Sequence, residues 1–132
     1  MSTPDNSSCA EKINSIAWNE LITPDPAAAV KFYGSLFGWT TEPFGGGPIP
    51  YTMFKRSDNA FGGVMAPPKP GIPPHWLNYV AVTDLDAAFA KAVSLGATVC
   101  LPPMSIGSAG RIAVLQDPQG AGFGLHEMPQ GK

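Results

Sequence analysis

Apolar and polar positions change their spacing along the first half of the chain, and each change marks an element. Residues 13–23 are rich in large apolar side chains and predict a strand. Residues 27–36 then carry apolar side chains three and four positions apart, which predicts a helix. Asp25 and Pro26 are typical of the helix start, and Gly38 of its end. Strands are predicted over 39–44, 51–55 and 61–65, with turns at 45–48 and 57–59.

A proline-rich segment separates this pattern from a second, similar one. Five of the eight residues from 67 to 74 are proline, so neither a helix nor a central strand fits there. A strand is then predicted over 76–83, followed by a helix capped by Asp84 and ended by Gly96. The remaining predictions are strands over 97–101, 111–116 and 122–126, a loop over 102–110 and a turn over 117–120.

The two patterns form an internal repeat. Residues 18–25 align on residues 77–84, and Gly38 aligns on Gly96 with one deletion inside the helix. Each half reads strand, helix and three strands, but a unit of this size is too small to bury its own sheet well. We therefore predict an α+β fold of two tandem βαβββ modules whose paired mixed sheets form a cupped cavity. The predicted divisions are a mobile leader (1–11), a first module (12–66), a connector (67–74) and a second module (75–128), together one structural domain.

Composition and charge narrow the function classes. Hydrophobic residues make up 44% of the chain and charged residues 14%, which argues against general disorder. The formal net charge is −2 and no basic block exists, so we expect no nucleic-acid or membrane partner. No apolar run reaches the roughly 18 residues of a transmembrane helix, and residues 1–8 lack the apolar core of a signal peptide. With only two cysteines, a cytoplasmic protein with reduced thiols is expected.

Motifs in both halves carry a resemblance to a known family. They are Asp25, Phe32-Tyr33 and Leu36-Phe37-Gly38-Trp39 in the first half, and Asp84-Leu85-Asp86-Ala87-Ala88, Leu95-Gly96-Ala97, Gly110-Arg111 and Asp117-Pro118-Gln119-Gly120 in the second. In this order the chain resembles the glyoxalase, bleomycin-resistance and extradiol-dioxygenase group, the vicinal oxygen chelate superfamily. The resemblance implies paired βαβββ modules around a pocket and a homodimer. It fixes no reaction, because the group includes isomerases, epimerases, dioxygenases and drug-sequestering proteins.

The resemblance also implies where metal ligands would lie. Metal-dependent members use the first and last strands of each module, at positions that correspond to Trp18, Leu77, Gly124 and either Gly62 or Gly63. None of these side chains offers a donor atom to a divalent cation, so no metal or other cofactor is expected. The alternative is a Zn, Ni, Mn or Fe site two residues further along, on Glu20, Tyr79 and His126.

Strand alternation predicts which side chains line the pocket. Trp18 and Glu20 share one face of the first strand, and Leu77 and Tyr79 share that face in the second half. His126 joins them from the last strand, where glycines at 122 and 124 are expected to enlarge the space.

Glu20 and Arg111 are the charged candidates in this pocket. Glu20 is read either as a ligand anchor or general base, or as a carboxylate paired with Arg111 or bonded to Tyr51 or Tyr79. Arg111 is expected to face the pocket with Ala113 and Leu115, where it would hold an anionic ligand or form a structural ion pair.

These residues support several functions and leave open whether the chain is an enzyme. The first is a protein that binds a small organic molecule in an apolar, aromatic-lined cavity without metal, through Trp18, Glu20, Tyr51, Leu77, Tyr79, Arg111 and His126. The second is a metal-free isomerase or lyase with Glu20 as its catalytic base. The third is a metal-dependent lyase or dioxygenase, and the fourth a non-catalytic partner domain.

Overall fold

A computed structural model describes residues 13–44 and 50–129. The predicted leader at 1–11 and turn at 45–48 lie outside the described residues. By compactness the described residues divide into a first unit within 18–77 and a second unit formed by the rest. Both boundaries fall inside a strand, and each of these strands is described with the unit that holds most of it. The predicted connector, 67–74, lies inside the first unit.

The first unit contains the predicted strand, helix and three further strands. They are β1 (Ile16–Ile22), α1 (Pro26–Phe37), β2 (Thr40–Phe44), β3 (Tyr51–Arg56) and β4 (Asn59–Met65). The strands lie in the order β2-β3-β4-β1, in which β4 pairs antiparallel with β3 and parallel with β1. This mixed sheet confirms the predicted βαβββ arrangement.

The second unit repeats the plan. Its elements are β5 (His75–Ala81), α2 (Leu85–Ser94), β6 (Thr98–Ser105), β7 (Arg111–Gln116) and β8 (Gly122–Glu127), in the strand order β5-β8-β7-β6. The predicted loop over 102–110 is wrong in its first part, because β6 continues through Pro102 and Pro103 to Ser105. Since β6 is an edge strand, prolines without an N–H group are tolerated there. A single 3-10 turn, Gly107–Ala109, follows.

Both helices begin and end where the sequence predicts. The Asp25 carboxylate accepts a hydrogen bond from the backbone N–H of Ala28 at 3.0 Å, and Pro26 occupies the first helical position. Asp84 caps α2 in the same way, accepting from the N–H of Ala87 at 3.1 Å. Gly38 ends α1 with a φ of 77°, a left-handed conformation that favours glycine.

Each helix covers one face of its own sheet. The core of the first unit is Leu21, Phe54 and Val64, packed against α1 and aromatic side chains that include Tyr33, Trp39 and Phe61. The core of the second unit is aliphatic and consists of Val82, Leu85, Ala113, Leu115 and Leu125. The predicted helix-side placement of Leu21, Val82 and Leu125 is confirmed. None of the helices in the described residues is long and apolar enough to cross a membrane.

Candidate ligand site

The sheet face opposite α1 carries the candidate site of the first unit. Leu21 packs in the core beside α1, so its neighbours Glu20 and Ile22 lie on the opposite face of β1, together with Trp18. The parallel register places Glu20 directly beside Gly63 of β4. Glu20 is only 7% exposed, which makes it the only buried charged residue in the described part of the chain.

A hydrogen-bonded chain connects three of the predicted site residues. The indole N–H of Trp18 donates to the hydroxyl oxygen of Tyr51 at 2.8 Å. The Tyr51 hydroxyl is also hydrogen-bonded to the Glu20 side chain. A phenol has one proton, and its oxygen already accepts from the indole, so that proton is donated to the Glu20 carboxylate. The order of donation is therefore Trp18 to Tyr51 to Glu20.

Burial and the neighbouring Glu20 carboxylate keep the Tyr51 phenol neutral. Burial raises the pKa of Tyr51 well above its usual value of 10.0, and the negative charge of Glu20 raises it further. The hydrogen bond from Trp18 acts in the opposite direction and is the weaker influence on this pKa. Tyr51 is consequently a proton donor, not a base, over the whole physiological pH range.

Tyrosine rings lie over one glycine in each of the strands β4 and β8. A Cβ atom at position 63 would overlap the ring and hydroxyl of Tyr51, and a Cβ at position 124 would overlap the ring of Tyr79. The expectation of an enlarged space at Gly124 is therefore wrong, because an aromatic ring fills it. The registers also settle which glycine is equivalent to Gly124: Glu20 pairs with Gly63 as Tyr79 pairs with Gly124.

In this chain the metal-ligand positions that the resemblance assigns are occupied by residues that do not bind a divalent cation. The positions that the resemblance assigns to ligands hold an indole, an isobutyl group and two glycines, none with a suitable donor atom. Nowhere in residues 13–44 and 50–129 do three or more His, Cys, Asp or Glu side chains cluster as a metal site would require. In the alternative set, Nε2 of His126 lies 2.7 Å from the backbone oxygen of Ala109. A carbonyl only accepts, so this nitrogen carries a proton, and Nδ1 is the one ring nitrogen of His126 that has a lone pair.

Arg111 is not part of this site. Its guanidinium group forms a bidentate ion pair with Asp86 at 2.8 and 3.1 Å and lies 3.8 Å from the Glu127 carboxylate. Ala113 and Leu115 are fully buried in the core beside α2. The predicted pocket placement of these three residues is wrong, because this face of β7 turns toward the helix. The ion pair, one of the two readings, is the role that Arg111 has.

The structure places the other predicted residues in the second unit or at its border. Leu77 and Tyr79 are buried on one face of β5, with exposures of 3% and 4%. His126 lies on β8 with its ring bonded to Ala109. Tyr79 and His126 share the face opposite α2, since the core residue Leu125 lies between Gly124 and His126 on the other face. This confirms the alternation predicted for β5 and β8.

Sequence reasoning missed the contact between Tyr51 and Trp18. Their positions differ by 33 residues, and nothing in the local pattern of either strand connects them. One signal was available: two consecutive glycines, Gly62 and Gly63, stand inside a predicted strand. Glycine in a strand interior commonly marks the close approach of another group, and here that group is the Tyr51 ring.

Comparison with known sequences gives a family and several relatives. The sequence profile of the Glyoxalase/Bleomycin resistance protein/Dioxygenase superfamily matches residues 12–125. "Putative glyoxylase CFP32" of Mycobacterium bovis is 45% identical over 112 residues, covering 83% of this chain and 42% of that protein. "Anthracycline biosynthesis protein DauV" of Streptomyces sp. is 35% identical over 127 residues, covering 83% and 45%. The chain thus spans less than half the length of these relatives.

Solved structures with the same fold include enzymes with different chemistry. A methylmalonyl-CoA epimerase from Mycobacterium tuberculosis has a TM-score of 0.67 at 16% identity, over 98% of this chain and 94% of that one. A Mn(II)-bound glyoxalase from Novosphingobium aromaticivorans has a TM-score of 0.60 at 18% identity, over 88% of this chain and 39% of that one. At these identities the likeness concerns the fold alone.

Proposed function

The chain belongs to the Glyoxalase/Bleomycin resistance protein/Dioxygenase superfamily, and we propose that it binds a small organic molecule without a metal, beside Trp18, Glu20 and Tyr51. The superfamily name covers both enzymes and resistance proteins, so the function must be argued from the site. One observation carries the proposal: a buried carboxylate on the face opposite α1 is held by a phenol that an indole fixes in turn.

The chemistry of this group favours a cationic or aromatic ligand. An ionised carboxylate only accepts hydrogen bonds, so Glu20 suits a ligand that offers an N–H group or a positive charge. The rings of Trp18 and Tyr51 supply π surfaces that attract organic cations. Binding sites for small molecules commonly combine such apolar walls with a few polar groups that fix orientation.

The names of the relatives support the aromatic part of this ligand class. Two proteins that are 35% identical to this chain are named for the biosynthesis of anthracyclines, which are aromatic compounds. The chain corresponds to less than half of each, so the ligand of the whole relative enters here as a proposal only.

Calorimetric titration with two simple probes tests the ligand class. We expect saturable binding of benzyltrimethylammonium and none of phenylacetate, which has a similar ring but the opposite charge. Glu20→Gln should weaken binding of the cation by roughly a hundredfold, since the attraction between the carboxylate and the quaternary ammonium is removed. Glu42→Gln is the matched control, because Glu42 is an exposed acid of the same unit paired with Lys55. Equal binding by both variants, or no binding by the wild type, would reject the proposal.

Metal analysis tests the other part of the proposal. Protein purified from medium supplemented with Mn, Ni, Zn and Fe salts should contain far less than one metal ion per chain, because the ligand positions hold Trp18, Leu77, Gly63 and Gly124. Stoichiometric metal that survives dialysis would favour the metal-dependent lyase or dioxygenase instead.

A metal-free isomerase or lyase is the second candidate, and the orientation of Tyr51 favours it. The Tyr51 hydroxyl donates to Glu20, which fixes the orientation of the carboxylate, as a general base requires. Such an enzyme would exchange the C–H protons beside a carbonyl with solvent. Proton exchange of methylglyoxal in D2O, followed by NMR, should be catalysed by the wild type and abolished in Glu20→Gln; exchange at the uncatalysed rate removes this candidate.

We also propose that the chain forms a homodimer. Three large apolar side chains of α1 support this, because Phe32, Leu36 and Phe37 are each more than half exposed in the single chain. Sedimentation equilibrium should give about twice the chain mass of 13.8 kDa; a monomer at high concentration would reject the dimer.

A further inference from the structure

We infer that Gly63 is a positioning residue of the proposed site, and that it acts by admitting the Tyr51 ring onto the surface of β4. The inference rests on the proposed function, since Tyr51 is the central group of that site. In this interpretation a missing side chain on one strand determines where a phenol on the next strand lies.

The strand register explains how the ring reaches Gly63. In the antiparallel pair of β3 and β4, Met53 lies directly opposite Gly63, and Tyr51 precedes Met53 by two residues on the same face. Side chains in such diagonal positions are within reach of each other when one is a large aromatic. The ring of Tyr51 therefore extends diagonally across β4, and its hydroxyl, Cζ and Cε2 atoms lie where a Cβ of residue 63 would be.

This placement brings the phenol to both of its partners at once. Glu20 pairs with Gly63 from the other side, in β1, so a ring that lies over Gly63 ends beside the carboxylate. Trp18, two residues earlier on β1, then reaches the hydroxyl oxygen at 2.8 Å. A side chain at position 63 would displace the ring and break both hydrogen bonds together.

The backbone around Gly63 offers little room to relieve such a clash. Gly63 is buried, and β4 is paired with β1 on one side and β3 on the other. The second unit shows the same combination, because Gly124 lies under the ring of Tyr79 in the neighbouring strand β5. In that unit the tyrosine lies on the strand that corresponds to β1, at the position of Glu20, so the two units place a ring over the glycine from different strands.

The indole N–H signal of Trp18 in a proton–nitrogen NMR spectrum reports the position of Tyr51 directly. The chain has three tryptophans, so the signal is assigned by its loss in Trp18→Phe. Gly63→Ala should shift this signal and speed its exchange with solvent, because the acceptor has moved away. The affinity for benzyltrimethylammonium should fall by roughly tenfold, because the Glu20 carboxylate loses the hydrogen bond from Tyr51 that holds it in place.

A double variant separates the ring contact from any other need for glycine at position 63. In a Tyr51→Ala background the ring is gone, so adding Gly63→Ala should cause no further loss of stability in urea unfolding. If the double variant is clearly less stable than Tyr51→Ala, the inference is overturned, because the backbone itself would then require glycine at position 63. This comparison remains valid even if Gly63→Ala alone fails to fold.

The outcomes distinguish this inference from the proposed function. If Gly63→Ala shifts the Trp18 signal but the wild type binds no probe, the positioning role stands and the proposed ligand class fails. An unchanged Trp18 signal in folded Gly63→Ala overturns the positioning role, whatever the probe does.

Discussion

The two units share a plan but place their charged groups on opposite faces of their sheets. In the first unit the buried carboxylate of Glu20 lies on the face opposite the helix, bonded to Tyr51. In the second unit Arg111, Asp86 and Glu127 meet at the start of α2, on the helix side. A repeated fold can therefore use one copy for a candidate site and the other for structural ion pairs.

The two cores differ as well. Phe54 lies among aromatic rings in the first unit, with centroid distances of 5.2 Å to Trp39 and 6.0 Å to Tyr33. The second core is built of aliphatic side chains around Leu85 and Leu115, both fully buried. Both solutions bury the helix-side face of the four strands of the unit, so the side chains on the opposite face can differ between the units.

Truncating one buried side chain in each core should cause the greatest loss of stability and tests whether the two cores are equally important. Phe54→Ala should lower the free energy of unfolding by about 3–5 kcal/mol and Leu115→Ala by about 2–5 kcal/mol, since each leaves a cavity in a closed core. Urea unfolding followed by circular dichroism measures both losses. A loss below 1 kcal/mol in either variant would contradict the assignment of that core.

Replacing Glu127 should cause a smaller loss of stability, confined to the helix side of the second unit. Its carboxylate accepts from the backbone N–H of Leu85 at 2.7 Å, and its side chain is 13% exposed. Glu127→Ala leaves that N–H without its acceptor and should cost about 1–3 kcal/mol. Glu127→Gln keeps an acceptor oxygen and should recover part of the loss in the same unfolding assay. Equal losses of stability in the two variants would mean that the hydrogen bond from Leu85 to Glu127 does not stabilise the fold.

The matched helix caps should respond equally in the two units. Asp25→Ala and Asp84→Ala each remove one acceptor from a first helical turn, which costs about 1 kcal/mol. Asp25→Asn and Asp84→Asn are the controls, since asparagine caps nearly as well. A large difference between the stability losses of the two alanine variants would show that the two helices do not depend equally on their caps.

The smallest effect concerns the exposed ion pair of Asp86. The hydrogen bonds from Arg111 hold the pKa of Asp86 below its usual value of 3.8. A carboxyl group with a lowered pKa stabilises the fold above that usual value, and the contribution is lost as the pH falls through the pKa of the folded state. A carbon-detected NMR titration should show this low midpoint, and Arg111→Ala should return it toward 3.8. An unchanged midpoint would exclude the pair in solution.

Most of the fold was predictable because its signals are local. Asp25, Pro26 and Gly38 mark one helix, Asp84 marks the other, and the repeat of the pattern indicates two similar units. The path of β6 was not predictable in the same way. Pro102 and Pro103 exclude a central strand, but only the sheet order reveals that β6 is an edge strand, where prolines are tolerated.

The site was predictable only in part, because its contacts join distant residues. Alternation along β1 placed Trp18 and Glu20 on one face, and Tyr51 stood among the possible partners of Glu20. The strand start of β7 gave no sign that Arg111 faces α2, since that depends on its register with Glu127 and on the position of Asp86. The ring of Tyr51 over Gly63 follows from a diagonal cross-strand contact that no periodicity encodes.

Isotope-filtered NMR of the labelled protein with unlabelled benzyltrimethylammonium shows directly whether the ligand lies beside Glu20. The methyl protons of the probe should give nuclear Overhauser contacts to the indole of Trp18 and the ring of Tyr51, and these contacts should vanish in Glu20→Gln. Contacts to the exposed face of α1 instead, or contacts that persist in Glu20→Gln, would contradict a ligand site centred on Glu20.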